Sequence, residues 1–404
     1  MSWNIKRTRH GHRVSGGFFI SFVIGPYLIA LVVPVLFLVA MDGYYLMREG
    51  AYLVSLLIRA RSTERMRVQA SLDPRTFSLF DRAVSIRAFA ENELGLATDR
   101  NFTRYIPIDR DYLVTVVSAA GQVSFNRYYW NYPLFGRAPY RGFFSREHAE
   151  QEAARLRSEG WDVVVRQVHA FSLLGVIGDP LYSFMADYTT YRLASLMFHE
   201  KTHSTIWLRG QVQFNEELAS FVEHEGALRY LRARYGDDSS EYRLAMNLRE
   251  DRALFRRTIA GLRESLTDLY ESERTAAEML TEKDRIIEEF RHEFIVSYDE
   301  RFATEAFRGF GRLPINNALL DLYTTYTGEI GLLYELFAAA DEDLHETIQL
   351  LHRVRAWPDD PRGYIRDVLI PELLFRGEGS FSENRGSLLP GHRLESAVPS
   401  TSAE

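Results

Sequence analysis

The chain has 404 residues, 46% of them hydrophobic and 25% charged, so it is long enough for one large or two ordinary folded domains and is not disordered as a whole. Its net charge of −7 and pI near 5.9 leave no dominant basic surface, which argues against nucleic-acid binding. The absence of cysteine excludes disulfide bonds, thiolate metal ligands and a cysteine nucleophile.

The first predicted element is a membrane anchor. Residues 1–15 contain four basic residues and no acidic one, and no charged residue occurs between Val14 and Met41. This run exceeds the roughly 20 apolar residues that span a bilayer as a helix. The positive-inside rule then predicts a cytoplasmic segment 1–15, a single transmembrane helix 16–41 and a periplasmic or otherwise extracytoplasmic remainder. A cleaved signal peptide is the alternative, although its apolar region is usually shorter, about 7–15 residues.

The rest of the chain is predicted to be an α+β fold that is mostly helical. A small sheet in a strand-rich part, about 105–180, precedes a helical part, about 187–355, within a folded domain 45–376. Residues 377–404 are rich in Ser, Gly and Pro, which predicts a disordered tail. The predicted helices are 44–61, 76–97, 145–159, 187–203, one that begins at Asn215, and those within 240–303 and 314–355; the predicted extended runs are 112–125 and 161–175.

The stretch HEKTH, at 199–203, carries the strongest chemical signal. On a helix, His199 and His203 share a face and present two imidazoles to one point, as a zinc peptidase requires. Glu200 lies beside them and can act as general base toward a water on the metal. The motif alone also occurs by chance, so the residues around it decide whether it marks a metal site. The motif lies at the end of an apolar helix, where burying the His199-Glu200 pair costs free energy unless the pair has a function. The extended run 165–175 before it can supply an edge strand for a peptide.

The third metal ligand is predicted downstream of the histidines. Asn215-Glu216-Glu217-Leu218-Ala219 begins twelve residues after His203, and an Asn-Glu-x-x-Ala segment in this place is typical of zinc peptidases with a glutamate ligand. Asn215 is predicted to cap the second helix and Glu216 to lie in its first turn. Because the gap between His203 and Glu216 is short, Glu217 and Glu223 remain alternative ligands. Glu223 could instead form a hydrogen bond to one of the metal ligands without contacting the metal itself.

Beyond the motif, the chain resembles the predicted bacterial aminopeptidases, which are zincin-like proteins of the cell envelope. The resemblance extends from about residue 50 to 355, and the order and spacing of the similar stretches agree. These stretches are IRAFAENELGL (86–96), YWNYPLFGRAPYRGFF (129–144), GWDVVVRQVHAFSLLGVIGDPL (160–181), FHEKTH (198–203), FNEELASFVE (214–223) and INNALLDLYTTY (315–326).

The resemblance implies a zincin-like fold and a zinc-dependent peptidase that acts on peptides. It implies that His199, His203 and Glu216 bind Zn²⁺ and that Glu200 is the catalytic base. It also points to pocket positions, with Tyr326 as a stabiliser of the oxyanion and Tyr140, Arg141, Asn316 and Asn317 as substrate-binding residues.

The predicted function is thus that of a membrane-anchored zinc peptidase of the inner membrane, with its catalytic domain outside the cytoplasm. The resemblance favours an aminopeptidase. An endopeptidase stays open, because no carboxylate that would bind a free α-amine is identified. The alternative is a non-catalytic envelope protein whose charged helices, at 247–291, bind a partner, with zinc structural or absent. The side-chain preference, the oligomeric state and any protein partner are also left open.

Overall fold

The computed structural model of the chain describes residues 43–69, 72–132, 136–168, 178–324 and 330–375. The predicted cytoplasmic segment, transmembrane helix and disordered tail all lie outside the described residues, so these three assignments stay predictions. Among the helices that are described, none is both long and apolar enough to cross a membrane.

Helices make up most of the described chain. The α-helices are α1 (Gly43–Ile58), α2 (Thr63–Arg67), α3 (Pro74–Asn92), α4 (Arg146–Ser158), α5 (Thr190–Thr205), α6 (Val212–Tyr235), α7 (Ser240–Tyr270), α8 (Ala276–Val296), α9 (Tyr298–Arg301), α10 (Asn317–Thr324), α11 (Ile330–Ala339), α12 (Leu344–His352) and α13 (Pro361–Tyr364). Short 3₁₀ turns cover Ser183–Asp187, Phe310–Arg312 and Arg353–Ala356, and a π-helical turn covers Ile365–Leu369.

The strands form small sheets. They are β1 (Arg61–Ser62), β2 (Arg104–Ile106), β3 (Val114–Gly121), β4 (Trp130–Tyr132), β5 (Gly136–Ala138), β6 (Arg141–Phe143), β7 (Trp161–Val168) and β8 (Leu181–Tyr182). In the described residues, the principal sheet is antiparallel with the order β6-β3-β7, so β7 lies at its edge. Strand β2 joins β1 and β8 in a second sheet, and β4 pairs with β5 in a third. The predicted α+β class, mostly helical with small sheets, is confirmed.

Three groups of buried apolar side chains hold these elements together. The main core unites helices α3, α5, α6, α11 and α12 with one end of the principal sheet, through residues such as Val114 and Val116. The second core lies between α7, α8 and α10 and includes Phe255 and Leu266. The third core lies on the other side of the principal sheet, under α4. Because helices cover both of its faces, the central strand β3 is buried along nearly its whole length.

Close contact between α6 and its neighbours depends on Gly226. A Cβ atom at this position would lie 2.9 Å from Leu94 and 3.0 Å from Phe198. Such distances are shorter than van der Waals contact, so only glycine lets the backbone of α6 approach α5 this closely. The packing at Gly226 therefore helps to fix the rotation of α6 against α5.

Several helix boundaries differ from the predicted ones. Helix α3 ends at Asn92 rather than near residue 97, because Gly95 has a left-handed backbone with φ of 70°. Helix α5 begins at Thr190, since the residues before it form a 3₁₀ turn. Helix α6 begins at Val212, three residues before Asn215, so the prediction that Asn215 caps this helix was wrong.

Candidate metal centre

Two histidines of α5 are directed toward the same point. The helix begins where the Thr189 hydroxyl accepts a hydrogen bond from the backbone N–H of Arg192. One turn apart near its other end, His199 and His203 place their Nε2 atoms 3.2 Å from each other. The two rings are nearly perpendicular, at 86°, with centroids 4.8 Å apart. The i, i+4 spacing therefore converges as the sequence predicts.

Lys201, between the two histidines, secures the helix from behind. Its side chain is fully buried, and its Nζ atom donates to the carbonyl of Ala97 at 2.7 Å. The same ammonium group lies 3.2 Å from a carboxylate oxygen of Glu91 and 3.1 Å from one of Asp99. These contacts join α5 to α3 and to the loop that follows α3, so Lys201 is directed away from the face of the helix that carries the two histidines.

A short loop brings α6 back to the two histidines. Asn215, on the first turn of α6, is buried and accepts a hydrogen bond from the N–H of Leu208 at 2.9 Å. It also donates to the Leu208 carbonyl at 2.8 Å. This two-way contact fixes the loop between α5 and α6. As a result, the Glu216 carboxylate lies 3.5 Å from Nε2 of His199 and 3.5 Å from Nε2 of His203.

The spacing of these three side chains fits a tetrahedral metal ion. Zinc binds nitrogen and oxygen ligands at roughly 2.0–2.2 Å, which puts two ligand atoms of a tetrahedral site roughly 3.3 Å apart. The two Nε2 atoms are 3.2 Å apart, and each lies 3.5 Å from an oxygen of the Glu216 carboxylate, Oε2 for His199 and Oε1 for His203. All three ligand atoms lie within 4.8 Å of one another, so the cluster can hold a metal ion and is compatible with zinc.

The other two carboxylates of α6 are directed elsewhere. Glu223 lies 3.1 Å from Nδ1 of His199, the ring nitrogen that faces away from the cluster. Glu217 is buried and forms an ion pair with Arg362, and it accepts a hydrogen bond from Gln213 at 2.8 Å. Of the three glutamates that the sequence left open as ligands, Glu216 is the one that faces both imidazoles.

The charges of the metal-free cluster are strongly coupled. Burial disfavours a charged ring at His199, but hydrogen bonds to Glu216 and Glu223 outweigh it and raise its pKa to about 10. At His203, burial and the neighbouring His199 charge lower the pKa to about 4. Burial opposes ionisation of Glu223, yet the hydrogen bond and charge of His199 lower its pKa to about 2. Without metal, the cluster thus carries a single imidazolium between two carboxylates, which is a site built for positive charge.

Two further groups border the cluster. Glu200 is 8% exposed and lies within electrostatic range of His199. Burial and the nearby Glu216 carboxylate raise the pKa of the Tyr140 hydroxyl, although the residue as a whole is 48% exposed. The positive charge of Arg166 opposes this shift and lowers the pKa of the Tyr140 hydroxyl. Arg166 is not among the predicted site residues, and no motif in the sequence marks it.

Arg141 lies away from the metal cluster. Its guanidinium is 3.9 Å from the centroid of the Tyr45 ring and 3.7 Å from a carboxylate oxygen of Glu152. It lines a surface groove with Tyr45 and Trp130, and no residue of the metal cluster lines that groove. These contacts describe a packed ion pair, and the predicted substrate contact of Arg141 stays a prediction.

Asn316 and Asn317 make structural hydrogen bonds. Asn316 caps α10 by accepting from the N–H of Leu319 at 2.9 Å, and it donates to the carbonyl of Val163 at 3.1 Å. Asn317 is fully buried, donates to the Gly121 carbonyl at 2.8 Å and accepts from the Tyr270 hydroxyl at 2.9 Å. Their predicted substrate contacts stay untested, and Tyr326 lies outside the described residues.

Residues 44–364 match the model of a family described as "Putative aminopeptidase". The chain belongs to this family. The match covers the sheet, the metal cluster and the helices after it, and it supports a peptidase that acts on peptide substrates. No curated protein and no solved structure gives a significant match, so the zincin-like fold stays a prediction.

Proposed function

We propose that the protein is a zinc-dependent aminopeptidase in which His199, His203 and Glu216 bind the metal and Glu200 is the catalytic base. One observation carries the proposal. Two imidazoles and a carboxylate place one ligand atom each within 4.8 Å of one another, near the buried Glu200, in a chain of the aminopeptidase family.

The chemistry follows from the residues around the cluster. Zinc, when bound, polarises the carbonyl of the scissile bond and lowers the pKa of a water that it coordinates. Glu200 accepts the proton of the attacking water and passes it to the leaving amine. The Tyr140 hydroxyl, like an ordinary phenol, is protonated at neutral pH, and burial raises its pKa further, so it can donate a hydrogen bond to the substrate.

The number of ligands favours a catalytic metal over a structural one. A structural zinc site has four protein ligands and is closed, whereas a catalytic site has three and leaves a position for water or substrate. In the parts of the chain that are described, the cluster consists of three residues. The Glu216 side chain keeps 28% of its surface exposed and the His199 side chain 19%, so solvent reaches one side of the cluster.

Glu200→Gln in the full-length protein tests the proposal. We expect wild type to hold about one zinc per chain, as a three-ligand site requires, and to cleave peptides. The variant should keep the zinc and lose roughly 10²- to 10⁴-fold in rate, because glutamine cannot accept the proton. Glu217→Gln is the matched control, since this neighbouring carboxylate pairs with Arg362, and it should keep both zinc and activity.

Three results of this experiment decide between the candidate functions. Release of single N-terminal residues identifies an aminopeptidase, and cleavage within peptides identifies an endopeptidase. If wild type holds no metal, or if wild type and Glu200→Gln do not differ across a broad peptide library, the enzyme proposal fails. The charged helices would then become the first place to look for a protein partner.

We also propose that residues 16–41 anchor the chain in the inner membrane with the peptidase domain outside the cytoplasm. The basic segment before the apolar run supports this orientation. Protease added to spheroplasts should digest the peptidase domain, whereas a cytoplasmic marker protein survives. Protection of the domain in intact spheroplasts, followed by digestion after lysis, would contradict the orientation.

A further inference from the structure

Helix α1 packs against the domain through one of its faces. On this inner face Leu56 is buried, the Tyr52 ring lies 4.5 Å from the Phe144 ring, and the Tyr45 hydroxyl donates to the Gly142 carbonyl at 2.5 Å. The three residues of α1 recur at helical spacing, which places them on one side of the helix. The opposite side of α1 is therefore directed away from the domain.

The outer face of α1 is apolar and exposed. It consists of five residues, whose side chains follow one another along the whole helix: Tyr44, Met47, Ala51, Val54 and Ile58. The four larger side chains are between 51% and 79% exposed. Because the five residues are spaced by three or four positions, they form a single stripe on the helix surface.

No charged side chain interrupts this outer face. The charged residues of α1 are Arg48 and Glu49, which are mostly buried and pair with each other at 2.6 Å. Helix α4 shows the usual surface of a helix in water, since its exposed positions include Arg146, Glu147 and Glu150. A long exposed stripe without charge on α1 indicates that this helix contacts something apolar.

The position of α1 in the chain indicates what this contact is. The uncharged run of the proposed anchor ends at Met41, two residues before α1 begins at Gly43. Because each residue extends the chain by at most about 3.6 Å, Tyr44 lies within roughly 11 Å of the end of this run. The polar headgroup layer on each side of a bilayer is roughly 5–8 Å thick. An anchor that spans the membrane therefore places the start of α1 at the membrane surface.

Arginines follow the outer face at its far end. Residues 59–67 contain four arginines and one acid, Glu64. Arg59, Arg61 and Arg65 are exposed, and no carboxylate in the described ranges of the chain forms an ion pair with any of them. A guanidinium group binds phosphate well, and every phospholipid headgroup carries a phosphate. An apolar stripe that ends in free arginines thus suits a lipid surface better than an apolar protein surface.

We propose that α1 lies flat on the extracytoplasmic surface of the inner membrane, with its outer face among the headgroups and the upper acyl chains. The proposal rests on the proposed anchor and not on the peptidase chemistry. The 16 residues of α1 form a helix about 24 Å long. Because the stripe extends from Tyr44 to Ile58, only a helix parallel to the surface brings all of it into the headgroup region. This contact holds the domain in one orientation against the bilayer.

Fluorescent labels at single positions of the full-length protein test the proposal. The chain has no cysteine, so one introduced cysteine carries the only label. Met47→Cys and Val54→Cys place it on the outer face, where both side chains are exposed and a label displaces no packed neighbour. Leu244→Cys is the matched control, since this residue is 49% exposed on α7. Each protein is inserted into nanodiscs of phosphatidylcholine and phosphatidylglycerol, with or without nitroxide groups on the acyl chains.

The two kinds of quencher report which surroundings each label has. We expect the lipid nitroxides to remove most of the fluorescence of both α1 labels and little of that at Leu244→Cys, because nitroxides quench only at short range. Iodide in the water should show the reverse order. Equal quenching by iodide at all three positions would overturn the proposal. Protection of the α1 labels from iodide without quenching by lipid would also overturn it, and loss of this protection on dilution would identify a second copy of the chain as the cover.

The α1 contact and the proposed anchor can fail separately. Release of the unlabelled protein from cell membranes by alkaline carbonate would contradict the anchor, because a membrane-spanning helix resists this treatment. Retention in the membranes, with all three labels open to iodide in nanodiscs, would leave the anchor in place and overturn the α1 contact. Peptide cleavage by wild type tests the proposed peptidase and depends on neither result.

Discussion

The Nδ1 atom of His199 lies 3.1 Å from the Oε2 atom of Glu223, on the side of the ring opposite the Nε2 atom that faces Glu216. A histidine that binds a metal through Nε2 carries its proton on Nδ1, so Glu223 then accepts a hydrogen bond from this ring. The carboxylate thereby fixes both the tautomer and the orientation of His199. Glu223, one helix away, would thus act on a bound metal ion through the His199 ring that it holds in place.

Replacement of Glu223 should weaken metal binding without removing a ligand. We expect Glu223→Ala to lower zinc affinity about 10- to 100-fold, the usual effect of losing the partner of a metal-binding histidine. Glu223→Gln should lose less, because its amide oxygen still accepts the hydrogen bond. Competition with a chromophoric chelator at fixed pH measures the affinities. Equal affinities for wild type and Glu223→Ala would contradict the role assigned to this contact.

Neighbouring glutamates at the start of α6 should behave differently. Glu216→Gln replaces a carboxylate that lies 3.5 Å from both imidazoles, and it should lower the zinc content of the purified protein well below one per chain. Glu217→Gln changes the adjacent residue and should leave the zinc content unchanged. Elemental analysis after dialysis gives both numbers. If Glu217→Gln lost the metal and Glu216→Gln kept it, the ligand set would have to be revised.

The sequence predicted the histidine pair and its helix well, because i, i+4 spacing determines which side chains share a face wherever the helix lies. It left Glu216, Glu217 and Glu223 open as the third ligand. The choice among them depends on the rotation of α6 about its own axis relative to α5. That rotation depends on tertiary contacts such as Gly226 against Phe198, which no local pattern in the sequence encodes.

The two arginines near the principal sheet illustrate a second limit. Arg141 lies on β6 and Arg166 on β7, and apolar side chains of the main and third cores line the two faces of the sheet that these strands share, so polarity alone does not distinguish the faces. The two-residue period then shows which residues share a face, but not which face borders the metal cluster. The resemblance pointed to Arg141, whose side chain pairs with Glu152, whereas Arg166 is the one within range of Tyr140.

Lys201 should contribute strongly to stability although it lies between His199 and His203, the two histidines proposed as metal ligands. Lys201→Met removes the ammonium group that Glu91 and Asp99 share and leaves both carboxylates without this cation. We expect a loss of about 3 kcal/mol in the free energy of unfolding, the lower end for breaking a buried ion pair, since both acids keep some exposure to solvent. Urea unfolding followed by circular dichroism measures the change.

An exposed ion-pair network supplies the control for Lys201. Arg285→Met breaks contacts with Glu282 and Glu289 on the surface of α8 and should change stability little, because exposed pairs are screened by water and salt. If Lys201→Met were no more destabilising than Arg285→Met, the Lys201 cluster could not be what holds α5 against α3.

His224 should make the stability of the protein depend on pH in mildly acidic solution. Burial lowers its pKa to about 4; the neighbouring Glu223 opposes this shift, and Arg252, Arg256 and Arg249 on α7 reinforce it. The pKa in the unfolded chain is near 6.5. Because the folded state disfavours the proton, the stabilising effect of neutral His224 is complete above about pH 6.5. It is lost as pH falls from about 6.5 to 4, by up to about 1.4 kcal/mol per pH unit.

His224→Gln isolates this contribution from the other groups that titrate in the same range. Glutamine stays neutral at every pH, so we expect the stability difference between wild type and the variant to shift in favour of the variant as pH falls from 7 to 4.5. Urea unfolding at several pH values, with zinc removed from both proteins, measures this difference. A difference that stays constant over this range would show that His224 binds its proton equally well in the folded and unfolded chains.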